Sequence, residues 1–529
     1  MSGPVHSLQH PDAEPSVRSI ARDRPAVLPY IYATILILCF AWVYSLIFDE
    51  DLEMVGDNAA YYILGKSLYM GEGYRYINSP EAPPAARLPP GYPVLIALTM
   101  TLWSSDFAAV KLVNGLAFGL AVVAAFYLFG KLSGNVHLAF VAAMAMLCNG
   151  HLLRFSTLMM SESSFLLCAV LALLVGSHIA EENFKRPHIY LLVLCLIAAF
   201  YIRTMGIALL GAVCLVLVWH RWWRYLAFVA AGYVLAVVPW YLRGRRLQGD
   251  SYIDQLLSVN PFRPELGKVG LGDLALRLLS NAERYLTLEV PDGLLYYITS
   301  NDNLRQVTTA TTLLSAALLL LAAYGLYTLK RLRLLTAAYV GATGGILLLW
   351  PEVVIGTRFL QPLIPLLLLG IFNGLWTIAR ALLQKRHAAR SVYSLILAPL
   401  LLVFLHDIEY LSEVATEAVY PKPWINYFAA ARWIEHNTAP DAVVACRKPN
   451  MFYLYANRRT VVYAFTLKQA ELVEDLEQKG VDYVVLEQLG YSSTGRYLAP
   501  AIGAHPHRFT RVYNLDDPAT WVMEFLTPH

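Results

Sequence analysis

About eleven stretches of the chain are apolar over a length near what a helix needs to cross a bilayer, roughly 20 residues. They fall at 29–48, 109–130, 136–150, 156–179, 188–202, 204–220, 224–242, 307–328, 333–351, 359–379 and 391–407. The runs at 136–150 and 188–202 are short and draw length from flanking aromatic and His residues. The run 91–104 is shorter still, follows a Pro-rich stretch, and reads as a segment lying along the membrane surface. The first run lacks a small-residue cleavage site after a short apolar core, which predicts a retained helix rather than a signal peptide. From about Trp424 the pattern changes. WINYFAAARWIEHN has helical spacing, and AVVAC, TVVYA and DYVVLEQ are short β-branched runs separated by helical stretches such as LKQAELVEDLEQKG. Gly480 is suited to closing that last helix. The expected fold class is an α-helical polytopic membrane protein with a C-terminal soluble α/β domain. The expected divisions are a cytoplasmic tail at 1–28, a membrane region at 29–408 and an extracytoplasmic domain at 409–529.

The polar segments between the runs assign sides. With residues 1–28 inside, the inner segments hold roughly 15 Lys and Arg against about five acidic residues, as the positive-inside rule requires. The loop 49–108 then lies outside and is acidic, carrying Asp49, Glu50, Asp51, Glu53 and Asp57 near its start. An odd number of crossings leaves the tail outside, in the periplasm or extracellular space. The second long outer loop spans 243–306; its many carboxylates read as solvated, in a position to cover a site or choose an acceptor.

Composition agrees. Hydrophobic residues are 57% and charged residues 15%, against about 45–50% and 25% in soluble domains. That excludes a disordered chain, a coiled coil and an ordinary soluble enzyme. The formal net charge is +3 with no long basic run, which argues against a nucleic-acid partner. Five of the 6 Cys lie in apolar runs and no CxxC pair occurs, so neither a disulfide framework nor a zinc site is indicated.

Candidate chemistry concentrates on the outer side. The first loop reads GDNAAYYILGKSLYMGEGYRY, then a spacer, then RLPPGYP. Asp57 precedes a helical pattern, where a helix dipole favours a carboxylate. It is either a reactive acid or a helix-terminal one. Glu162, in RFSTLMMSESSF, lies near the outer end of a span, where a charge is costly and marks function unless it is simply capped by neighbouring Ser. Arg154 is placed to pair with it or to anchor the interface. Arg87, Arg203, Arg243 and Arg358 are candidate phosphate-binding cations or snorkelling interfacial residues. Tyr61, Tyr62 and His151 are candidate cavity-lining groups. A divalent cation held by Asp57, Glu162 and His151 stays open; no HExxH or DxD-type pattern stands in an outer loop.

An acid just after the first span, AYY, a GxGY turn, a basic residue before PPGYP, a second acid early in a later span and an arginine before a proline-bearing late span together resemble the GT-C superfamily of membrane glycosyltransferases. The resemblance is closest to the branch of protein O-mannosyltransferases and bacterial lipid A aminoarabinose transferases, and covers about the first 380 residues. It implies a polyprenyl-phosphate-linked sugar donor, a lipid, glycan or protein acceptor on the outer face of the cytoplasmic membrane, and Asp57 as catalytic base. It also implies a donor-phosphate role for Arg358 and a second-acid role for Glu162. Eukaryotic protein mannosyltransferases carry an Asp-Glu pair where this chain has Asp57 and Asn58, so a protein acceptor is not supported there. The rival readings are a transporter or flippase for a lipid-linked sugar, and a non-catalytic scaffold. Neither an inverted repeat nor midplane polar residues favour the first.

Overall fold

The computed structural model describes residues 27–54, 57–181, 186–247, 252–296, 308–329, 332–354, 356–382, 386–417 and 420–527. It is mostly helical, with a small sheet near the C-terminus. Among the described residues, Val27–Ile47, Phe107–Ser133, Trp223–Arg246, Thr309–Tyr327 and Ile364–Leu382 are helices long and apolar enough to cross a membrane. Val136–Leu147 and Gly150–Ser156 add a sixth if the 60° bend between them lies within one span. Four of the remaining apolar runs form shorter helices, Glu162–His178, Pro187–Ile202, Thr204–Trp219 and Arg333–Leu349, and the run 391–407 lies within the longer helix Arg386–Glu417. By length and composition, five helices among the described residues could cross a membrane, or six with the bent pair; this test does not by itself reach the expected eleven. The short run at 91–104 is a helix, Gly91–Leu102, with Leu98, Leu102 and Trp103 exposed.

The breaks have local causes. The side chain of Asn149 accepts the N–H of Leu152 at 3.1 Å and starts a new helix, while its amide donates to Gly293 O at 2.8 Å. The apolar run 156–179 is not one helix: the chain leaves helical geometry after Ser156 and re-enters at Glu162. Arg203 is extended (φ −146°, ψ 129°) between Ile202 and a short 3-10 turn at Thr204–Gly206. These interruptions put Glu162 and Arg203 at adjoining helix ends.

Helices Thr309–Tyr327 and Ile364–Leu382 cross at almost backbone contact. A Cβ on Gly325 would lie 1.7 Å from Gly370 O, and one on Gly374 would lie 2.7 Å from Leu321 O. Gly370 and Gly374 are spaced as in a small-xxx-small contact, where packing and not the hydrophobic effect joins helices in lipid. This crossing anchors the helix that follows Arg358. Gly325→Leu should therefore lower the thermal midpoint of the detergent-solubilised protein, by at least the roughly 1–3 kcal/mol of an overpacked core. Gly341→Ala, where nothing lies within 4 Å, should leave the midpoint within about 0.5 kcal/mol of the parent.

Helix Arg386–Glu417 continues past residue 408, and the sheet-bearing region begins at Lys422. Its strands are β1 (Val443–Ala445), β2 (Arg459–Val461), β3 (Tyr483–Leu486), β4 (Phe509–Leu515) and β5 (Thr520–Phe525), in the order β2-β1-β3-β5-β4. β2, β1 and β3 are parallel, with β5 and β4 antiparallel beside them. The three β-branched runs supply the parallel strands. Alternate residues face opposite ways: Val444, Cys446, Val485 and Val522 join the large core shared with the membrane helices, whereas Val443, Ala445, Val484 and Met523 form a smaller second core. Gly480 (φ +59°) follows helix Gln469–Gln478, in the left-handed conformation glycine tolerates best.

This region is docked onto the first loop. Thr460 N donates to Asn78 O at 2.6 Å, Arg459 donates to Pro80 O, and Tyr420 OH donates to Leu52 O at 2.8 Å. It also reaches the second outer loop, where Arg496 meets Glu265 at 2.9 Å.

Candidate active site

The start of the first loop is pinned by an unusual residue. Lys111 lies within the apolar helix Phe107–Ser133, 1% exposed, and its Nζ donates to Asp49 Oδ1 at 2.6 Å and Asp51 O at 2.8 Å. Asn58 is buried and spent locally: its amide donates to Glu53 O and its Oδ1 accepts Ala59 N at 2.6 Å. Asp57 is the residue before helix Asn58–Tyr69, yet its carboxylate makes no capping hydrogen bond among the described residues. Its side chain stays 38% exposed and lies 3.9 Å from Arg358 Nη2.

Asp57 lines a cavity of about 340 Å³ with Tyr61, Arg87, Glu162, Arg203 and Arg358. The apolar part of its wall includes Ile202, Ile207, Leu256, Ile346, Leu347 and Phe359. These residues come from helix ends and the segments joining them, so the cavity sits at one end of the bundle. Glu162 and Arg203 are paired within its wall: Arg203 Nη1 lies 2.5 Å from Glu162 Oε1, with side-chain exposures of 14% and 2%. Apart from this contact, neither Glu162 oxygen has a polar partner among the described residues. Ser161 links this pair to the first loop, meeting Tyr61 OH at 3.1 Å and Arg203 Nη1 at 3.3 Å. Gly91 allows the loop to approach: a Cβ there would lie 2.6 Å from Tyr201 O, two residues before Arg203.

Phe359 separates two like charges, its ring centroid being 5.7 Å from the guanidinium of Arg203 and 4.7 Å from that of Arg358. Arg358 is set by its neighbour. Buried Thr357 places its hydroxyl 2.7 Å from Glu289 Oε2 and 2.5 Å from Asp292 Oδ2, and His151 Nε2 meets the same Asp292 oxygen at 2.9 Å. Tyr252 from the second outer loop closes the cavity beneath Arg87, whose guanidinium lies 6.0 Å from its ring centroid. Burial raises the Tyr252 phenol, and its ionisation responds to Arg87, Asp57, Arg203 and Arg358 together. The segment is held by Arg277, which donates to Leu256 O and Ser258 O at 2.7 Å.

Asp57 and Arg87 also border a second cavity, of about 370 Å³, between the first loop and the C-terminal region.

Of the residues expected at the site, Asp57, Tyr61, Arg87, Glu162, Arg203 and Arg358 come together. Arg243 does not: its guanidinium binds Ala85 O and lies 3.5 Å from Tyr74 O, packed over Trp240 and Tyr74. Tyr62 turns away to donate to Ser105 O at 2.7 Å. His151 faces Asp292, so the triad of Asp57, Glu162 and His151 does not assemble, and no group of three or more metal-ligating side chains occurs among the described residues. Arg154 pairs with Glu53 at 3.7 Å and donates to Tyr296 OH at 3.3 Å, leaving Glu162 to Arg203. Tyr252, Phe359, Thr357 and Asp292 were missed. A Thr directly before a candidate Arg is a weak signal, and Asp292 was one carboxylate among many in its loop. Lys111 had a clearer one, a lone cation within an apolar run.

No protein-family model matches the chain, and no curated protein is similar to it in sequence. Solved structures are similar in fold. The crystal structure of ArnT from Cupriavidus metallidurans bound to undecaprenyl phosphate has a TM-score of 0.59 at 13% identity, covering 94% of this chain and 99% of that one. The apo state of the same protein gives 0.59 at 12%, covering 95% and 100%. The Archaeoglobus fulgidus oligosaccharyltransferase, in complex with Zn and sulfate, gives 0.59 at 13%, covering 93% and 72%. Both neighbours are GT-C glycosyltransferases. This chain has the GT-C fold. The fold resemblance extends over nearly the whole chain, the C-terminal sheet region included, beyond the first 380 residues in which the motifs lie. In GT-C terms, the first-loop acid, the second acid and the arginine before the late proline-bearing helix share one cavity here.

Proposed function

We propose that the chain is an integral-membrane glycosyltransferase that moves a sugar from a polyprenyl-phosphate carrier to an acceptor hydroxyl. The supporting observation is an uncapped carboxylate, Asp57, bordering an apolar-walled cavity that also holds Arg87, Arg203 and Arg358. An apolar wall with cations suits a lipid phosphate. Similarity in fold to an ArnT structure holding undecaprenyl phosphate supports the same carrier class. In the reaction, Asp57 removes the acceptor hydroxyl proton as that oxygen bonds to the sugar C1. The C1–O bond to phosphate breaks, its electron pair leaves with the polyprenyl phosphate, and the anomeric configuration inverts. Arg358 and Arg203 meet the charge that develops on the leaving phosphate. Arg358 has a double role. Before the donor binds, its guanidinium lies 3.9 Å from the Asp57 carboxylate; a bound phosphate competes for that guanidinium and frees the carboxylate for the acceptor.

We further propose that the eleven apolar helical segments all cross the cytoplasmic membrane, the bent pair counted once. Residues 1–28 then lie inside, and the cavity and the C-terminal region from about residue 409 lie outside. The basic bias of the inner segments supports this orientation.

Mass spectrometry of envelope lipids and glycans in a strain lacking the chain tests the function. A polyprenyl-linked sugar should accumulate and a glycosylated product should vanish. Uptake of a lipid-linked sugar by proteoliposomes holding the chain, without covalent transfer to an acceptor, would show a flippase instead. Arg358→Lys keeps the charge but loses the forked geometry. It should lower kcat about tenfold, close to the roughly 1.5 kcal/mol of one charge-assisted hydrogen bond. Rates with a labelled lipid-linked donor check this.

A further inference from the structure

The polar residues behind Arg358 take no part in the mechanism above. His151, Glu289, Asp292 and Thr357 are all buried and come from three separate segments. Glu289 ends a widened π turn, Tyr285–Glu289, and Asp292 lies three residues on in helix Val290–Leu294, so both carboxylates reach Thr357 from one face. Gly293 permits the approach: a Cβ there would lie 2.8 Å from Leu360 Cδ2 and 3.2 Å from Thr357 Cγ2. His151 is held from the other side, where Gly150 N donates to Asp407 Oδ2 at 3.2 Å. Resting on the reading of Arg358 at the leaving phosphate, we infer that these residues form a relay with one proton shared between the two carboxyl groups, and that this relay positions Arg358.

The count of hydrogens carries the inference. Thr357 Oγ lies 2.7 Å from Glu289 Oε2 and 2.5 Å from Asp292 Oδ2. A hydroxyl has one hydrogen to give, and an ionised carboxylate only accepts. Two ionised carboxylates would leave one of these contacts with oxygen against oxygen and no hydrogen between them. One carboxyl group therefore bears a proton. Arg284 Nε donates to Glu289 Oε1 at 2.8 Å, a charge pair that a proton on Glu289 would weaken. The proton then belongs on Asp292 Oδ2, which also lies 2.9 Å from His151 Nε2. Each contact now has one hydrogen: His151 donates to Asp292, Asp292 to Thr357, and Thr357 to Glu289. His151 Nδ1 has no partner among the described residues, which suits a neutral ring, since an imidazolium would bury a second N–H there unmet. The consequence falls on the next residue. Thr357 opens the short turn Thr357–Phe359 that bears Arg358, and its carbonyl accepts Leu360 N at 2.9 Å. Holding its hydroxyl fixes the backbone from which the guanidinium reaches the cavity. A second ionised carboxylate in the relay would compete with the phosphate for that guanidinium. Thr357, Asp292 and Glu289 are thus positioning residues that act through Arg358 and not on the substrate.

Binding of labelled undecaprenyl phosphate to the full chain in nanodiscs, competed by undecaprenol, tests the proposal. The parent should prefer the phosphate. Thr357→Val keeps the shape without the hydroxyl and should lower that preference about tenfold, while Thr357→Ser should restore it to within about twofold. Asp292→Asn puts an amide N–H where the proton is placed, with His151 in its other tautomer, and should stay within about threefold of the parent. Glu289→Gln breaks the pair with Arg284 and should lose about tenfold. In an Arg358→Ala background, Thr357→Val should cost nothing further, because its effect passes through that guanidinium. The opposite order, Glu289→Gln tolerated and Asp292→Asn not, overturns the relay. So does a Thr357→Val variant that matches the parent, or one whose loss adds to that of Arg358→Ala. Asp292→Asn is isosteric and decides the matter if Thr357→Val fails to fold, a tenfold loss counting against the proposal. Failure of the Arg358 reading looks different: Arg358→Ala itself would then keep the parent's preference for the phosphate.

Discussion

Asp57→Asn should leave the chain folded and membrane-inserted while lowering sugar transfer about 10²- to 10⁴-fold, the usual contribution of a positioned general base. The structure gives the reason the fold should survive. The Asp57 carboxylate caps no backbone group among the described residues, is 38% exposed, and meets Arg358 at a loose 3.9 Å. An amide of the same size fits that space and removes basicity alone. Transfer from a labelled lipid-linked donor in vesicles measures the loss, and retention of undecaprenyl phosphate binding by the variant shows that the donor cavity is intact. Wild-type turnover by Asp57→Asn would remove this residue from the role.

The second large effect is on stability. Glu162→Gln should destabilise the protein by about 3–5 kcal/mol, because it leaves the guanidinium of Arg203 without its charge partner. At 2% and 14% side-chain exposure, neither group can recover that loss in water. Pairing the change with Arg203→Gln should restore part of the midpoint, since the double variant buries no unpaired charge. Transfer should not recover with it, for the proposed mechanism also places Arg203 at the leaving phosphate. Thermal unfolding of the single and double variants in detergent, alongside vesicle assays, separates the two roles. Additive losses in both readouts would show that the pair acts as two independent residues.

The candidate site was legible in proportion to how local its signals were. Asp57 stood in a loop with a recognisable order of residues, and Arg358 before a proline-bearing apolar run; both are in the cavity. Arg243 looked as good in sequence but is bound to the carbonyls of Ala85 and Tyr74, a choice made by a loop about 160 residues away. The same holds for His151, which only the folded chain brings to Asp292. The C-terminal sheet was half legible. β-branched runs marked β1, β2 and β3, whereas β4 carries exposed polar residues on an edge and gave little alternation to read.

Helix ends were the least legible. Run length is a count of apolar residues, but a helix ends where a side chain competes for the backbone, as Asn149 does, or where the chain extends, as at Arg203. Those events cost only one or two polar residues and barely interrupt hydropathy.

By itself the sequence determined that this chain belongs in a membrane and that its basic and acidic residues fall between different apolar runs. It determined too that a folded α/β region follows the apolar part. Each of these is a sum over many residues, and no single contact can reverse it. Tertiary structure alone decided which charges meet. Glu162 and Arg203 lie 2.5 Å apart because two helix breaks abut, and Asp57 borders two cavities because the C-terminal region docks on the first loop through Asn78 and Thr460. Charge pairing and cavity shape act over a few ångströms, and at that range the crossing of helices, not the order of residues, sets the neighbours.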